Sequence, residues 1–279
     1  MAEHIFRQKT QHFKGYFNVN SFGFSAVDGA PASENALVAM EKLGIDLSSH
    51  KSHKISANII SSADYIFCMS EYIYSIVTVA APDKTFLFGG GIDDPYGGTL
   101  DDYEKCAQQI SCEIDKLLES ELFFETELME YDDITAVADI ERESFSDPWS
   151  ENSFYAHLSL SYSRSFVVRF LGKPVGYICC EHLIDEMSLL NIAVDKVMRR
   201  RHIAEKLMTM MTDICRYLGC VLFTLEVRES NTSAQALYNK FGFRNEGKRK
   251  DYYTKPKEDA YIMTKYFVEE NLLNENTGY

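Results

Sequence analysis

From Ile134 onward the apolar residues recur at spacings that switch between helix and strand periods. Ile134, Val137, Ala138 and Ile140 predict a helix. Phe166 to Phe170, Val175 to Leu183 and Met187 to Val194 are apolar, β-rich runs, the first two joined by the turn Leu171-Gly172-Lys173-Pro174. They predict three consecutive antiparallel strands. Ile203, Leu207, Met208, Met211, Ile214, Cys215 and Leu218 mark one face of a long helix closed by Gly219, so its methionines belong to a core. Val221 to Val227 predicts another strand. Thr232 and Gln235 stand at capping-box spacing before a short helix, and Gly242 is placed to end it. A last strand is expected to end near Phe267, with a frayed polar tail from Glu269 to Tyr279. The order is helix, helix, three strands, long helix, strand, helix, strand.

Before this region, a helix ending Ile114, Leu117, Leu118 gives way to the strand-like Leu122-Phe123-Phe124-Glu125. The chain is therefore expected to divide into domains 1–121 and 122–279, and 279 residues suffice for two cores. No long Gly/Ser/Pro linker, internal repeat or low-complexity stretch interrupts it.

Charge and cysteine usage narrow the class. With 28 basic and 42 acidic residues the formal net charge is −14, which argues against direct nucleic-acid binding and for basic partners, solubility alone being the other reading. Seven cysteines without C-x-x-C or a His/Cys cluster at zinc spacing predict reduced thiols in a cytoplasmic protein and no metal. Cys179 and Cys180 point to opposite faces of a strand and are not expected to pair. No apolar leader core and no run of about 18 apolar residues occurs, so neither secretion nor a membrane span is predicted.

The densest chemistry lies at one strand-to-helix junction. Glu226 should end a strand, Asn231 should occupy the turn, and Tyr238 should follow on the short helix ahead of Phe241-Gly242-Phe243. Taken singly, a Glu in an apolar strand run belongs to the solvent face, and a Tyr there is a core aromatic with a wet hydroxyl. Their company changes this. Together with Phe145-Ser146-Asp147-Pro148-Trp149-Ser150-Glu151, Asn191-Ile192-Ala193-Val194-Asp195, Asp251-Tyr252-Tyr253 and Glu258-Asp259-Ala260-Tyr261-Ile262-Met263, the junction resembles the GNAT acetyltransferases. Within them the resemblance is to the ribosomal-protein-alanine N-acetyltransferases, over roughly residues 127–267. It implies a GNAT acyltransferase fold, Glu226 as general base, Tyr238 as general acid and Asn231 in contact with the cofactor.

The same resemblance implies how acetyl-CoA is held. Backbone groups of Ile192, Ala193 and Val194 would line the cofactor. Arg199-Arg200-Arg201-His202-Ile203-Ala204, continuing to Glu205, resembles the family's pyrophosphate loop, in which unpaired amides at a helix N-terminus hold the phosphates. His202 replaces that loop's first glycine. An imidazole fits if the residue is in the α region and is costly if φ is positive. Coenzyme binding is expected to survive with weaker affinity. Trp149, Tyr252 and Tyr253 match positions near the acceptor peptide, with a core role for Trp149 equally open.

The first half reads differently. Asn18-Val19-Asn20-Ser21, Gly44-Ile45-Asp46-Leu47-Ser48, Ala63 to Met69 and Asp94-Pro95-Tyr96-Gly97-Gly98 resemble the low-molecular-weight protein tyrosine phosphatases and their arginine-phosphatase relatives, over residues 1–120. That implies a parallel-sheet domain in which Asp94 would protonate the leaving group. The family's C-x-x-x-x-x-R loop and the strand feeding it are not found, and no cysteine of this chain has Arg six positions on. The fold class expected is thus α/β with two domains: a truncated low-molecular-weight phosphatase-like domain and a GNAT domain. The phosphatase-like half should be marginal, or rearranged so that Phe17 to Ser21 and Tyr65 to Met69 close up as neighbouring strands, and inactive.

The function expected from the resemblance is acetyl transfer from acetyl-CoA to the N-terminal alanine of a basic ribosomal protein. Two alternatives stand beside it: a GNAT acting on another protein or small-molecule amine, and a non-catalytic module that binds phosphoprotein or coenzyme A. Oligomeric state is left open.

Overall fold

The computed structural model describes residues 1–13 and 15–267; the polar tail expected after Phe267 lies outside the described residues. The chain forms two compact units, Met1–Leu122 and Phe123–Tyr279.

The first unit comprises α1 (Ala2–Lys9), α2 (Glu34–Glu41), α3 (Ala57–Ser62), β1 (Ile66–Cys68), α4 (Glu71–Ala80), β2 (Thr85–Leu87) and α5 (Leu100–Glu119). α5, the longest helix among the described residues, starts on a full capping box: Thr99 Oγ1 accepts from the Asp102 amide, and Asp102 accepts from the Thr99 amide. It buries Tyr103, Cys106, Ala107, Ile110, Ile114 and Leu118 within a core that also holds Ile5, Met40, Leu47 and Val77. β1 and β2 form a two-stranded parallel sheet with Phe67 opposite Phe86.

Here one expectation is corrected. Residues 17–21 form no strand and do not close onto β1; α1 satisfies them instead. The Arg7 guanidinium donates to the Val19 carbonyl at 2.6 Å, and the Ser21 amide and hydroxyl donate to Glu3 at 2.9 and 2.7 Å. Side chains thus take the polar groups that a ladder would otherwise have used.

The second unit comprises β3 (Phe124–Leu128), α6 (Ile134–Ser144), α7 (Glu151–Leu158), β4 (Ser163–Phe170), β5 (Lys173–Leu183), β6 (Glu186–Val194), α8 (Ile203–Leu218), β7 (Leu222–Arg228), α9 (Thr232–Lys240), β8 (Arg244–Thr254) and β9 (Lys257–Tyr266). Among the described residues its seven strands are ordered β3-β4-β5-β6-β7-β9-β8, with only β6 and β7 parallel. Residues 175–180 of β5 are all buried, so the sheet is covered on both faces. Tyr177 and Cys179 join Ile134, Val137, Ala138 and Phe154 on the α6–α7 side. Gly176, one position out of phase, meets α8: a Cβ there would lie 2.8 Å from Ile203 Cγ2.

The periodic elements are where the pattern puts them, Gly219 closing α8 at φ +72° included. Two details differ. The short helix is capped by Asn231, whose Oδ1 accepts from the Ala234 amide, and not by Thr232. Gln235 instead donates to the carbonyls of Arg228 and Glu229, tying the helix to the strand it follows. The region after that helix also holds two strands, not one.

Candidate active site

The site exists because β6 and β7 part company. Their ladder runs from Glu186↔Leu222 to Leu189↔Leu225 and stops. β6 stays paired to β5, where a register shift between Cys179 and Cys180 leaves Leu190 out of step, and β7 stays paired to β9. A bulge bends its strand. The two diverging strands open a cleft of about 1280 Å³ in the middle of the sheet.

Glu226 is the first residue of β7 past the last rung, on the half-exposed side of the strand's strict alternation, and it lines the cleft. Arg249 on β8 approaches its Oε1 at 3.3 Å, and the Tyr253 hydroxyl donates to its backbone carbonyl at 3.3 Å. Tyr238, on α9, lines the same cleft with its residue 5% exposed; burial raises its phenol pKa, with the neighbouring Tyr253 adding to the effect. Asn231 sits between the two elements as the α9 cap.

On the other wall, Ile192, Ala193 and Val194 line the cleft from β6. Arg199, Arg200, His202, Ile203, Ala204 and Glu205 continue it through the loop into α8; Arg201 alone of these candidates is off the wall, between two residues in left-handed conformation. Arg200 has φ +67° and His202 φ +58°, so the imidazole occupies the costly conformation that a glycine would take freely. No side chain caps α8, which leaves its first amides for a ligand. Arg199 is already engaged, its Nε donating to the Val194 carbonyl at 3.1 Å and its Nη2 to Ser144 Oγ at 3.3 Å. Glu205 is bound to Lys240 at 2.6 Å and faces His202 at 3.2 Å; the Lys240 bond is the main reason its carboxyl pKa is lowered.

Two site residues escaped the sequence reading. Glu141 of α6 is 1% exposed yet lines the cleft. Its Oε1 accepts from the Trp149 amide and from Asn191 Nδ2, both at 2.8 Å, and its Oε2 accepts from the Tyr177 hydroxyl. Burial nonetheless pushes its carboxyl up. The signal was present: Ile134, Val137, Ala138 and Glu141 follow one helical stripe, so a carboxylate stood on the core face. Arg228 donates to the carbonyls of Lys255 and Pro256 at 3.0 and 3.1 Å, to Ser146 at 3.3 Å and to Glu258 at 3.2 Å, with its guanidinium 4.0 Å from the Tyr253 ring centroid. It pins the β8–β9 turn to the loop before α7. Trp149 packs on Phe154 and His157 while lining the cleft, so both readings of it hold.

A mixed sheet split between its two parallel central strands, with uncapped helix amides on one wall and a carboxylate and phenol on the other, defines an acyltransferase of the coenzyme A type. The family model for the acetyltransferase (GNAT) family matches residues 134–243. A putative ribosomal protein bS18-alanine N-acetyltransferase of Bacillus subtilis is 38% identical over 136 residues, 48% of this chain and 90% of that protein. The bS18-alanine N-acetyltransferase of Escherichia coli K12 is 34% identical over 137 residues, covering 92% of that protein. The crystal structure of Ard1 from Thermoplasma volcanium superimposes with TM-score 0.50 at 25% identity, over 52% of this chain and 98% of that one. The chain belongs to the GNAT acetyltransferases through its second unit. Its first 128 residues match the family model for low molecular weight phosphotyrosine protein phosphatases.

In that first unit, Asp94 is an exposed turn residue accepting from the Tyr96 amide at 3.0 Å. Cys68 and Cys106 are buried, and burial raises both thiol pKa values. At Cys106 burial, with Asp94 and Asp93 nearby, outweighs the pull of the Met1 ammonium, so neither thiol is activated as a nucleophile.

Proposed function

We propose that the second unit transfers acetyl from acetyl-CoA to the N-terminal amine of a ribosomal protein beginning with alanine, in the cytoplasm, with the two domains dividing near residues 121–122. One observation carries the reading: Glu226 stands at the point where β6 and β7 part, and Tyr238 faces the same opening. An α-amine has a pKa of about 8, so most of it is protonated at neutral pH and must lose a proton before it attacks. Glu226 takes that proton, directly or through water. Tyr238 gives its proton to the sulfur as the carbon–sulfur bond breaks, and the second proton shed by the nitrogen as the amide forms restores the phenol. Because burial raises its pKa, the phenol stays protonated and ready to donate throughout the neutral range.

The amides of Ile203, Ala204 and Glu205, with Arg200 beside them, hold the pyrophosphate, and the freed edge of β6 at Ile192 to Val194 aligns the pantetheine arm. Glu205 contributes its amide, its carboxylate being paired with Lys240.

The test compares turnover on an alanine-initiated peptide, a peptide with only a lysine amine, and a polyamine. Glu226→Gln should lower kcat on the first about 10²-fold with coenzyme binding retained, and Tyr238→Phe should act similarly. Wild-type rates in both variants would remove these residues from the mechanism, and preference for a lysine or polyamine would overturn the acceptor.

A further inference from the structure

We propose that Glu3, His4 and His50 form a divalent-metal site in the first unit. The three residues come from two rigid places. Glu3 and His4 are in the first turn of α1, and His50 ends a turn whose amide bonds to the Leu47 carbonyl at 3.0 Å and which is fixed by Asp46 accepting from the Ser48 amide at 2.7 Å. One ligand atom from each residue lies within 4.8 Å of the other two. The imidazoles meet edge to face with centroids 5.1 Å apart.

Two observations point to a ligand. His4 Nδ1 is sealed from solvent and has no hydrogen-bond partner among the described residues. Such an orphaned group costs about 1–3 kcal/mol, and a bound ion is one of the few things that explains one. Second, the Glu3 carboxylate is held as ligating carboxylates are held. Ser21 donates twice to Oε2 and Arg7 approaches Oε1 at 2.9 Å. A carboxylate offers about four acceptor positions, so one remains after these three bonds. Outer bonds of this kind orient a metal ligand and raise its selectivity.

The donor set decides the metal. Two imidazole nitrogens and one carboxylate oxygen suit zinc, cobalt(II) or nickel(II) better than magnesium or calcium, which prefer oxygen cages. Metal–ligand distances of about 2.0–2.2 Å would require the donors to close by roughly 1 Å, within the reach of side-chain rotation. Three protein ligands leave a fourth position for water.

The full chain, stripped with chelator and titrated with cobalt(II), should take up one equivalent and develop the visible absorption of a tetrahedral nitrogen/oxygen site without a thiolate charge-transfer band. Zinc should displace the cobalt. His4→Ala and His50→Ala should each weaken zinc binding at least 100-fold with circular dichroism unchanged, and Cys112→Ser should leave it unaltered. Because either histidine variant could lose its fold, X-ray absorption of the zinc-loaded wild type gives a second reading: a shell of nitrogen and oxygen with imidazole scattering is expected. A sulfur-containing shell, absence of stoichiometric uptake, or full affinity in folded histidine variants would overturn the site.

Discussion

Glu141 and His202 show how single residues hold the cleft open. Glu141 collects three donors from α7's approach, β5 and β6, so Glu141→Ala would strand them together and should destabilise the second unit by about 3 kcal/mol, read by denaturant unfolding. Its pH behaviour follows from sign. Burial raises its folded pKa, so its contribution to stability is full below the ordinary carboxyl range and is lost as pH rises through the raised value. Glu141→Gln cannot titrate. The difference in Tm between wild type and Glu141→Gln should therefore move in the variant's favour from pH 4 toward neutrality; a pH-independent difference would show that the donors cancel burial, and movement in the wild type's favour that they outweigh it. His202 carries the opposite kind of cost, backbone strain at φ +58°. His202→Gly should stabilise by about 1 kcal/mol and keep or tighten coenzyme affinity, measured by calorimetry. That residue also shows the reach of sequence reasoning. The glycine replacement was legible in the chain, whereas the sign of φ that makes it costly was not, because it depends on how the loop leaves β6.

At the scale of elements, legibility tracked burial asymmetry. α8 has one buried stripe and reads clearly, and β4 to β6 are apolar enough to read as strands. β8 did not, since all its residues but Gly247 and Tyr253 are exposed and no period-two signal survives. The residues expected around the cofactor line the cleft apart from Arg201, whereas the clamp made by Arg228 was not legible: its partners are the carbonyls of a turn 27 and 28 residues away, which no local pattern encodes. The junction of β5 with α8 yields a test. Gly176→Ala places a methyl 2.8 Å from Ile203 Cγ2, at the helix start proposed above to hold the phosphates. It should cost about 1–3 kcal/mol and weaken coenzyme binding. Ile203→Ala in that background should recover part of both; simple additivity of the two losses would show that the contact is not what fixes the helix start.

For the molecule as a whole, net charge and the two units set the expectations. With a charge of −14, a basic acceptor peptide should be gathered by long-range attraction, so raising ionic strength should increase KM for it while leaving kcat nearly constant. An uncharged peptide should show no such change, and equal salt effects on both would refute the steering. The full chain should hydrolyse no aryl phosphate, because no cysteine has an arginine six positions on and Asp94 spends its carboxylate on a turn. Measurable turnover lost on Cys68→Ser or Cys106→Ser would contradict this. The parting of β6 and β7 bears also on how the protein survives without its cosubstrate. Past the last rung β6 and β7 no longer pair with each other, and an interrupted ladder is the kind of margin that recruits a foreign strand. A ligand lying along that margin is in effect a plug against self-association, so the unliganded protein should precipitate faster on warming than the same protein saturated with coenzyme A.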